Sequence, residues 1–566
     1  MNNHWGPALL GDGRARFRLW SPARDDVRLE LEGDAPLPMT REEGGWLAAE
    51  ASAMPGRRYR FLVGDQAVPD PASRRQDGGV HGWSVLVDPS HDWRHDWRGR
   101  PWHEMVILEV HAGLLGGFAG VAARLAAWAA AGITAIELMP VGAFSGTRGW
   151  GYDGVLPYAP QEDYGSPDAL KALVDEAHGL GLSVFLDVVY NHFGPDGNYL
   201  GLYAGDFFHP ERHTPWGGAV AVDREPVRRF FIDNALMWLE EYRLDGLRFD
   251  AVHAIGDTRF LDGMAVELRS RTAGRHIHLV LENEHNDAER LHPQRFDAQW
   301  NDDFHNTLHT MLTGEDEGYY AAFAPQATER LARCLAEGFV YQGETPPGAD
   351  HARGQPSGHL APTAFVSFLQ NHDQIGNRAL GERLVRLADP AKLRAATALL
   401  LLGPQIPLMF MGEEAGSDAS FLFFTDFHDE LADAVREGRR KEFAHFAAFA
   451  SSDKRARIPD PNDQGTFEAS RPEGRDEGWR SLVTALLAIR RAEIMPRLNG
   501  VRPGTATVLG DGAVAARWPM GDGATLSIAL NLGDAPAAFP ATDGRVLFED
   551  GERGAPGSVV VALVAP

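Results

Sequence analysis

Four short segments hold most of the residues that could do chemistry: SVFLDVVYNH (183–192), LDGLRFDAVHAI (244–255), HLVLENEHND (278–287) and FVSFLQNHDQIGN (365–377). Each is an apolar run that turns abruptly polar at its C-terminal end, and the polar residues are carboxylates, imidazoles, amides and one guanidinium. The first run exits at Asp187, Asn191 and His192. The second places Arg248 two residues before Asp250, the third ends in Glu282, and the fourth in His372 and Asp373. Residues two apart in a strand share a face, so Arg248 and Asp250 are predicted neighbours. A guanidinium beside a carboxylate favours its ionised form, which suits a nucleophile.

Three carboxylates at neighbouring strand exits form a set that glycoside hydrolysis can use. One carboxylate attacks the anomeric carbon, and a carboxylic acid protonates the departing oxygen. A third stabilises developing positive charge and helps keep the acid protonated by like-charge repulsion. His192 and His372 can hydrogen-bond sugar hydroxyls. Taken singly, each residue has a plainer reading: an aspartate at a strand end often caps a loop, a histidine often satisfies a structural contact, and Arg248–Asp250 is equally a structural ion pair. The joint pattern over four segments is what carries the chemical reading.

The elements that would position these residues follow from hydrophobic patterning. From residue 102 onward, apolar runs alternate with helical patterns. The runs are 105–110, 133–139, 183–189, 244–249, 278–281, 338–341, 365–369 and 406–411, separated by helical stretches such as 121–131, 168–180 and 226–242. Runs buried on both faces and joined by helices imply parallel strands. Eight of them predict an α/β fold of the (β/α)8 TIM-barrel type, in which working residues lie at the C-terminal strand ends. No glycine-rich dinucleotide fingerprint follows the first run, which argues against a doubly wound open sheet.

On either side the chain reads as β-structure. Residues 1–100 contain RARFRLW, VRLEL and YRFLV, short alternating strands punctuated by turns, and predict an N-terminal β-sandwich of immunoglobulin-like, carbohydrate-binding-module-like form. Residues 101–496 form the predicted catalytic barrel, with loop insertions. Residues 497–566, with strands at 513–518, 525–532, 546–548 and 559–564, predict a small C-terminal β-domain. Trp5, Trp20 and Trp46 read as core residues of the first unit.

The 566 residues carry 79 acidic and 54 basic side chains, a net charge of −25. That balance argues against nucleic acid or an anionic membrane as partner, since both reward clustered Lys and Arg. Cys334 is the only cysteine, so neither an intrachain disulfide nor a cysteine-based zinc cluster can form. No basic-then-apolar leader opens the chain, and no apolar stretch approaches the ~20 residues of a membrane span, so a cytoplasmic protein is expected. The pairs His276/His278 and His305/His309 lack an arguable third ligand, and no metal and no cofactor are expected. A monomer or homodimer is the expected assembly.

At this point DVVYNH, GLRFD, the glutamate of LVLEN, and QNHD resemble, in order and spacing, the four sequence regions of the α-amylase family of retaining glycoside hydrolases. The resemblance spans roughly residues 100–490. It implies Asp250 as nucleophile, Glu282 as general acid/base and Asp373 as the carboxylate that grips the sugar and favours its distorted state. It further implies that Arg248, His192 and His372 line the attacked glucose, with Tyr152 of WGYDG stacking on that ring and Asp153 beside it. All three carboxylates are present, whereas a non-catalytic binding protein on this fold would be expected to lack at least one.

Within the family, GYDGVLPYAPQEDYGSPDALKALVDEAH, HTPWGGAVAVD, DAVHAI, ENEHND, QWNDDFHN and GRRKEFAHF look like the branch that cuts the α-1,4 bond next to the terminal trehalose of malto-oligosyltrehalose. The alternative is a 1,4-α-glucan branching enzyme or another glucan hydrolase of the family. GRRKEFAHF separates these best. On the leaving-group side, Trp216, His253 and Glu284 are the candidate contacts, Trp216 being equally a loop-packing residue. Trp300, Asn301 and Asp302 are further candidates for the cleft border, although the sequence does not place them.

Overall fold

In the computed structural model, residues 5–214, 217–445, 449, 451–474 and 476–566 are described. Eight parallel strands close into a barrel in sequence order: Ile107–Val110, Ala135–Leu138, Ser183–Val188, Gly246–Phe249, His278–Leu281, Ala298–Trp300, Phe365–Ser367 and Ile406–Phe410. The last pairs with the first, Leu408 opposite Ile107, which completes the ring. Helices at Gly117–Ala131, Pro167–Gly179, Glu225–Leu236, Thr258–Arg271 and Pro390–Leu402 connect strands. Helix starts are marked by local chemistry. Ser166 accepts from Ala169 N ahead of Pro167, and Asp389 accepts from Ala391 N and Lys392 N ahead of Pro390.

One expected strand is not a strand. The run at 338–341 is buried but pairs with no barrel neighbour, and the sixth barrel strand is Ala298–Trp300. The backbone N–H groups of Val340 and Tyr341 instead donate to Asp303 Oδ2 at 2.8 and 3.1 Å, and that of Phe339 to Ser357 Oγ. Side-chain acceptors thus replace the ladder that a strand would need. Among the described residues no α-helix separates the fifth and sixth strands; only the 3-10 turn Ala288–Arg290 does. The sixth strand is three residues long, too short to show a period.

Alternation along the strands divides the barrel interior into two levels. Ile107, Ala135, Phe185, Val280, Ala298, Val366, Ile406 and Leu408 form a closed apolar cluster. Two residues further toward the C-terminal ends come Glu109, Glu137, Asp187, Arg248, Glu282 and Trp300. The period of two therefore sets an apolar floor beneath a charged ceiling.

The N-terminal strands form two sheets, one built on Arg14–Trp20 and Trp46–Ser52 and one on Val27–Leu31 and Arg58–Val63. Phe17 and Tyr59 meet across them with ring centroids 4.8 Å apart, as the inner faces of a β-sandwich should. Trp5 lies edge-on to Trp46 on this unit and to Phe230 of the barrel side, at 4.7 and 4.9 Å. The C-terminal sheet has five strands, Thr505–Gly510, Ala513–Pro519, Thr525–Asn531, Ser558–Val564 and Arg545–Asp550 in spatial order.

Candidate active site

Arg248 is the hub of the charged ceiling. Its side chain is fully buried, and Nη1 lies 2.6 Å from Asp187 Oδ2 and 2.7 Å from Asp250 Oδ1, with Nη2 3.7 Å from Glu282 Oε2. One planar guanidinium thus touches carboxylates from the third, fourth and fifth strands, a task its fork geometry suits and a lysine ammonium does not. Asp250 has partners on both oxygens, because Asn191 Nδ2 donates to Oδ2 at 3.0 Å. The shared face expected for Arg248 and Asp250 is therefore present.

Immediately after Asp250 the backbone takes an uncommon form. Ala251 has φ 42° and ψ 48°, a left-handed conformation that a residue with a Cβ adopts at a cost. The turn aims the Ala251 N–H at Glu282 Oε2, 2.5 Å away. Burial pushes the Glu282 carboxyl up to about 8, with the charges of Asp250, Asp302 and Asp373 adding to the rise and Arg248 opposing it. At neutral pH the group is therefore a proton donor.

His372 and Asp373 enter from the seventh strand. Asn371 caps the short helix His372–Gly376 by accepting from Asp373 N and Gln374 N. Glu109, at the first strand and 263 residues away in sequence, receives the His372 backbone N–H at 3.0 Å and also pairs with Nδ1. His372 Nε2 lies 3.3 Å from Asp373 Oδ1. Burial alone would lower the imidazole's pKa, but the two carboxylates hold it well above the usual histidine range. The same pairing works in reverse on Asp373: burial would raise it, and His372 brings it below the ordinary aspartate value.

The loop after the second strand supplies Tyr152. Its hydroxyl donates to Asp187 Oδ2 at 2.6 Å, and its ring stacks on His372 with centroids 5.0 Å apart. His192 Nε2 sits 2.8 Å from Tyr152 O, and Nδ1 faces Asn191 Oδ1. Tyr152, His192, Arg248, His372 and the three carboxylates therefore form one connected set. Asp153 does not join it: its charge acts on Tyr164, and burial raises its carboxyl to about 7.

On the far side of Glu282, His253 and Glu284 face each other. The Glu284 N–H donates to His253 Nδ1 at 3.3 Å, and Nε2 lies 3.7 Å from Glu284 Oε2. Trp216 lies outside the described residues. Asn301 turns away from the cleft, with Nδ2 on Gly338 O at 3.0 Å. Asp302 borders the cleft and receives Gln374 Nε2 at 3.2 Å; burial raises it to about 7, with Arg353 opposing.

Two residues of the site, Glu109 and Glu137, escaped sequence reasoning, whereas Trp300 was a candidate the sequence did not place. Trp300 lies beneath the Arg248 guanidinium, and Glu109 anchors His372. Glu137 has both carboxyl oxygens buried without a hydrogen-bond partner; burial, then the charges of Glu109 and Asp187, keeps it well above the carboxylate range. The only available signal was a charged residue inside each of two otherwise apolar strand runs. His305 faces Leu369 O at 2.5 Å, His309 faces Glu315 at 2.8 Å and His278 Nε2 faces Arg100 O at 2.8 Å, which are structural contacts. Among the described residues no group of three or more His, Cys, Asp or Glu is placed to hold a metal ion. Arg439 of GRRKEFAHF donates to Gly376 O and Arg378 O at 2.7 and 3.0 Å, fastening its helix to the loop that follows Asp373.

The alpha amylase catalytic domain model matches residues 74–201, and a domain of unknown function (DUF3459) matches residues 502–566. The chain is 41% identical over 504 residues to malto-oligosyltrehalose trehalohydrolase from Deinococcus radiodurans, covering 86% of this chain and 82% of that protein. A crystal structure described as an alpha amylase from Salmonella typhimurium superposes with a TM-score of 0.95 at 44% identity, covering all of both chains. A 1,4-alpha-glucan branching enzyme from Burkholderia pseudomallei is more distant, 27% identical over 385 residues, 60% of this chain and 47% of that protein.

Proposed function

The chain belongs to the malto-oligosyltrehalose trehalohydrolases of the α-amylase family, and from that premise we propose that it hydrolyses the α-1,4-glucosidic bond next to the terminal trehalose of malto-oligosyltrehalose, releasing trehalose and a malto-oligosaccharide. The observation that carries the chemistry is a division of labour between two carboxyls around one guanidinium. Asp250 is paired with Arg248 at 2.7 Å, while burial holds the Glu282 proton up to about 8.

Asp250 attacks C1 of the glucose on the non-leaving side as Glu282 protonates the departing glucosidic oxygen, giving a covalent glycosyl-enzyme and free trehalose. Glu282, now ionised, takes a proton from water as the water attacks C1, and the Asp250 carboxylate leaves. Two inversions give net retention. Asp373, oriented by His372, binds hydroxyls of the same glucose and stabilises its oxocarbenium-like state. Tyr152 packs against that ring, and His192 and Arg248 complete its wall. Trp216, His253 and Glu284 receive the trehalose. None of these roles needs a cofactor.

A cytoplasmic location suits a chain with one cysteine, and no described helix is long and apolar enough to cross a membrane. The net charge of −25 supports neither a nucleic-acid nor a membrane partner. We read the chain as three units, 1–100, 101–496 and 497–566, acting as a monomer or homodimer.

A product assay tests the reading. Maltotriosyltrehalose should yield trehalose, while maltopentaose should be cut much more slowly. Equal rates on both substrates with no trehalose from the first would overturn it. Branch transfer onto amylose, seen as altered iodine colour, would favour the branching enzyme instead.

A further inference from the structure

Tyr319 is 85% exposed in a protein that buries most of its aromatic side chains. A single exposed tyrosine is ordinary protein surface. What distinguishes this one is the rigidity of its support and the residues around it.

Tyr319 belongs to the short turn Gly318–Ala322, between the sixth strand's helix Asp302–Thr313 and the helix Ala327–Glu337. On one side the turn is fastened through Tyr320, whose ring lies flat on His309 at 4.0 Å and whose hydroxyl is 3.3 Å from His305 Nε2. Glu315 bridges His309 Nε2 at 2.8 Å and both Nη atoms of Arg378 at 2.7 and 2.9 Å. Arg378 lies five residues beyond Asp373, so this end of the turn is tied to the seventh-strand loop.

The other end is tied to the fifth-strand loop. Phe323 packs edge-on against Tyr341 at 5.4 Å and beneath the Arg353 guanidinium at 5.8 Å. Arg353 in turn donates from Nε to Glu284 O at 2.9 Å and from Nη2 to Asp303 Oδ1 at 2.9 Å. Tyr319 therefore projects from a braced turn between the loop carrying Glu284 and the loop carrying Asp373. Partial desolvation, then the charges of Glu442, Glu284 and Asp373, raises its hydroxyl above the usual tyrosine value.

An aromatic ring carried on a braced turn, with an apolar face and a polar tip, has only its two side-chain torsions to fix on packing against a sugar ring, whose axial C–H groups form a matching apolar face. We infer that Tyr319 is a sugar platform on the leaving-group side of the cleft, packing against a glucose of the departing trehalose and contributing to the preference for that end group. The inference rests on the reaction proposed above, and it assigns a specificity-determining contact to the sixth-strand loop. With Glu284 read as a trehalose contact, the Arg353 link to Glu284 O supports this side.

The test compares Tyr319→Ala with Tyr319→Phe, using maltotriosyltrehalose and maltopentaose as substrates and trehalose as a product inhibitor. The alanine variant should raise the trehalose inhibition constant and the KM for maltotriosyltrehalose by about 3–10-fold, with its unfolding temperature unchanged. The phenylalanine variant, which keeps the ring, should stay within about twofold on both. An unchanged inhibition constant in Tyr319→Ala would overturn the inference alone, as would an equal loss on maltopentaose with trehalose inhibition intact. Failure of the wild-type protein to release trehalose at all would overturn both the inference and the reaction it rests on.

Discussion

The guanidinium carbon of Arg248 lies 4.1 Å from the centroid of the Trp300 ring, so the cation that organises three carboxylates rests on an indole face supplied by the next strand but one. The quadrupole of the ring attracts the cation, by up to ~2 kcal/mol when desolvated, and its flat face restricts the tilt of the fork. Trp300→Leu should therefore lower kcat/KM about tenfold with little loss for Trp300→Phe. Arg248→Lys should cost roughly 10²–10³-fold in kcat, because one ammonium cannot touch Asp187, Asp250 and Glu282 together. Steady-state kinetics on maltotriosyltrehalose distinguish the two effects. Equal activity of Trp300→Leu and the wild type would deny the indole this role.

Glu282→Gln should retain substrate binding and lose roughly 10²–10⁴-fold in kcat. The same variant should be more heat-stable, with a definite pH dependence. The folded-state pKa of Glu282 is raised from 4.5 to about 8. Below 4.5 both folded and unfolded states carry the proton, and its burial has no linked cost. Between 4.5 and about 8 only the folded state keeps it, so stability falls as pH rises. The gain of Glu282→Gln over the wild type should then be absent near pH 4 and reach roughly 2 °C or more at pH 8. Thermal unfolding followed across that range checks the slope, and a gain independent of pH would contradict it.

Asp302→Asn should move the basic limb of the kcat/KM profile. Its charge is one of those that raise Glu282. Removing it makes ionised Glu282 easier to form, so the limb should shift to lower pH by about half a unit. A shift to higher pH, or none, would show that Asp302 does not act on the acid.

Trp5→Ala tests the seam between the N-terminal sandwich and the barrel. Trp5 also meets Phe207 at 6.2 Å, and Phe193, next to His192, meets Phe207 at 5.7 Å. His81 adds a polar clasp, with Nδ1 2.7 Å from the Tyr199 hydroxyl and Nε2 3.2 Å from Asp196. Emptying the Trp5 site should cost about 3–5 kcal/mol and open the segment 193–208 to limited proteolysis. His81→Ala, a partly exposed pairing, should change stability by at most ~1 kcal/mol. Calorimetry together with mapping of the first cleavage sites separates these outcomes.

Much of the barrel was legible because most of its strands are long enough to show a pattern. Seven of the eight expected runs are barrel strands, and each of the three carboxylates sits at the exit of its run. The error fell where the apolar pattern was broken. Ala298–Trp300 is as long as Phe365–Ser367, but Gln299 interrupts it and no α-helix precedes it, whereas the buried run at 338–341 imitates a strand while bonding its N–H groups to side chains. Burial leaves the same apolar signature whether or not a ladder forms.

By itself, then, the sequence determined much of the local geometry: seven of the eight strands, which residue leaves each of the catalytic ones, and that Arg248 and Asp250 share a face. Those follow from periods of two and from caps a few residues long. Tertiary structure alone decided how distant groups are paired. Glu109 reaches His372 across 263 residues, Trp300 supports Arg248 from a strand with no visible period, and Tyr319 owes its position to Arg378 and Arg353 on two separate loops. Nor is a proton affinity written in a residue's neighbours along the chain. Glu282 holds its proton to about 8 because closure of the barrel removes water and gathers like charges around it.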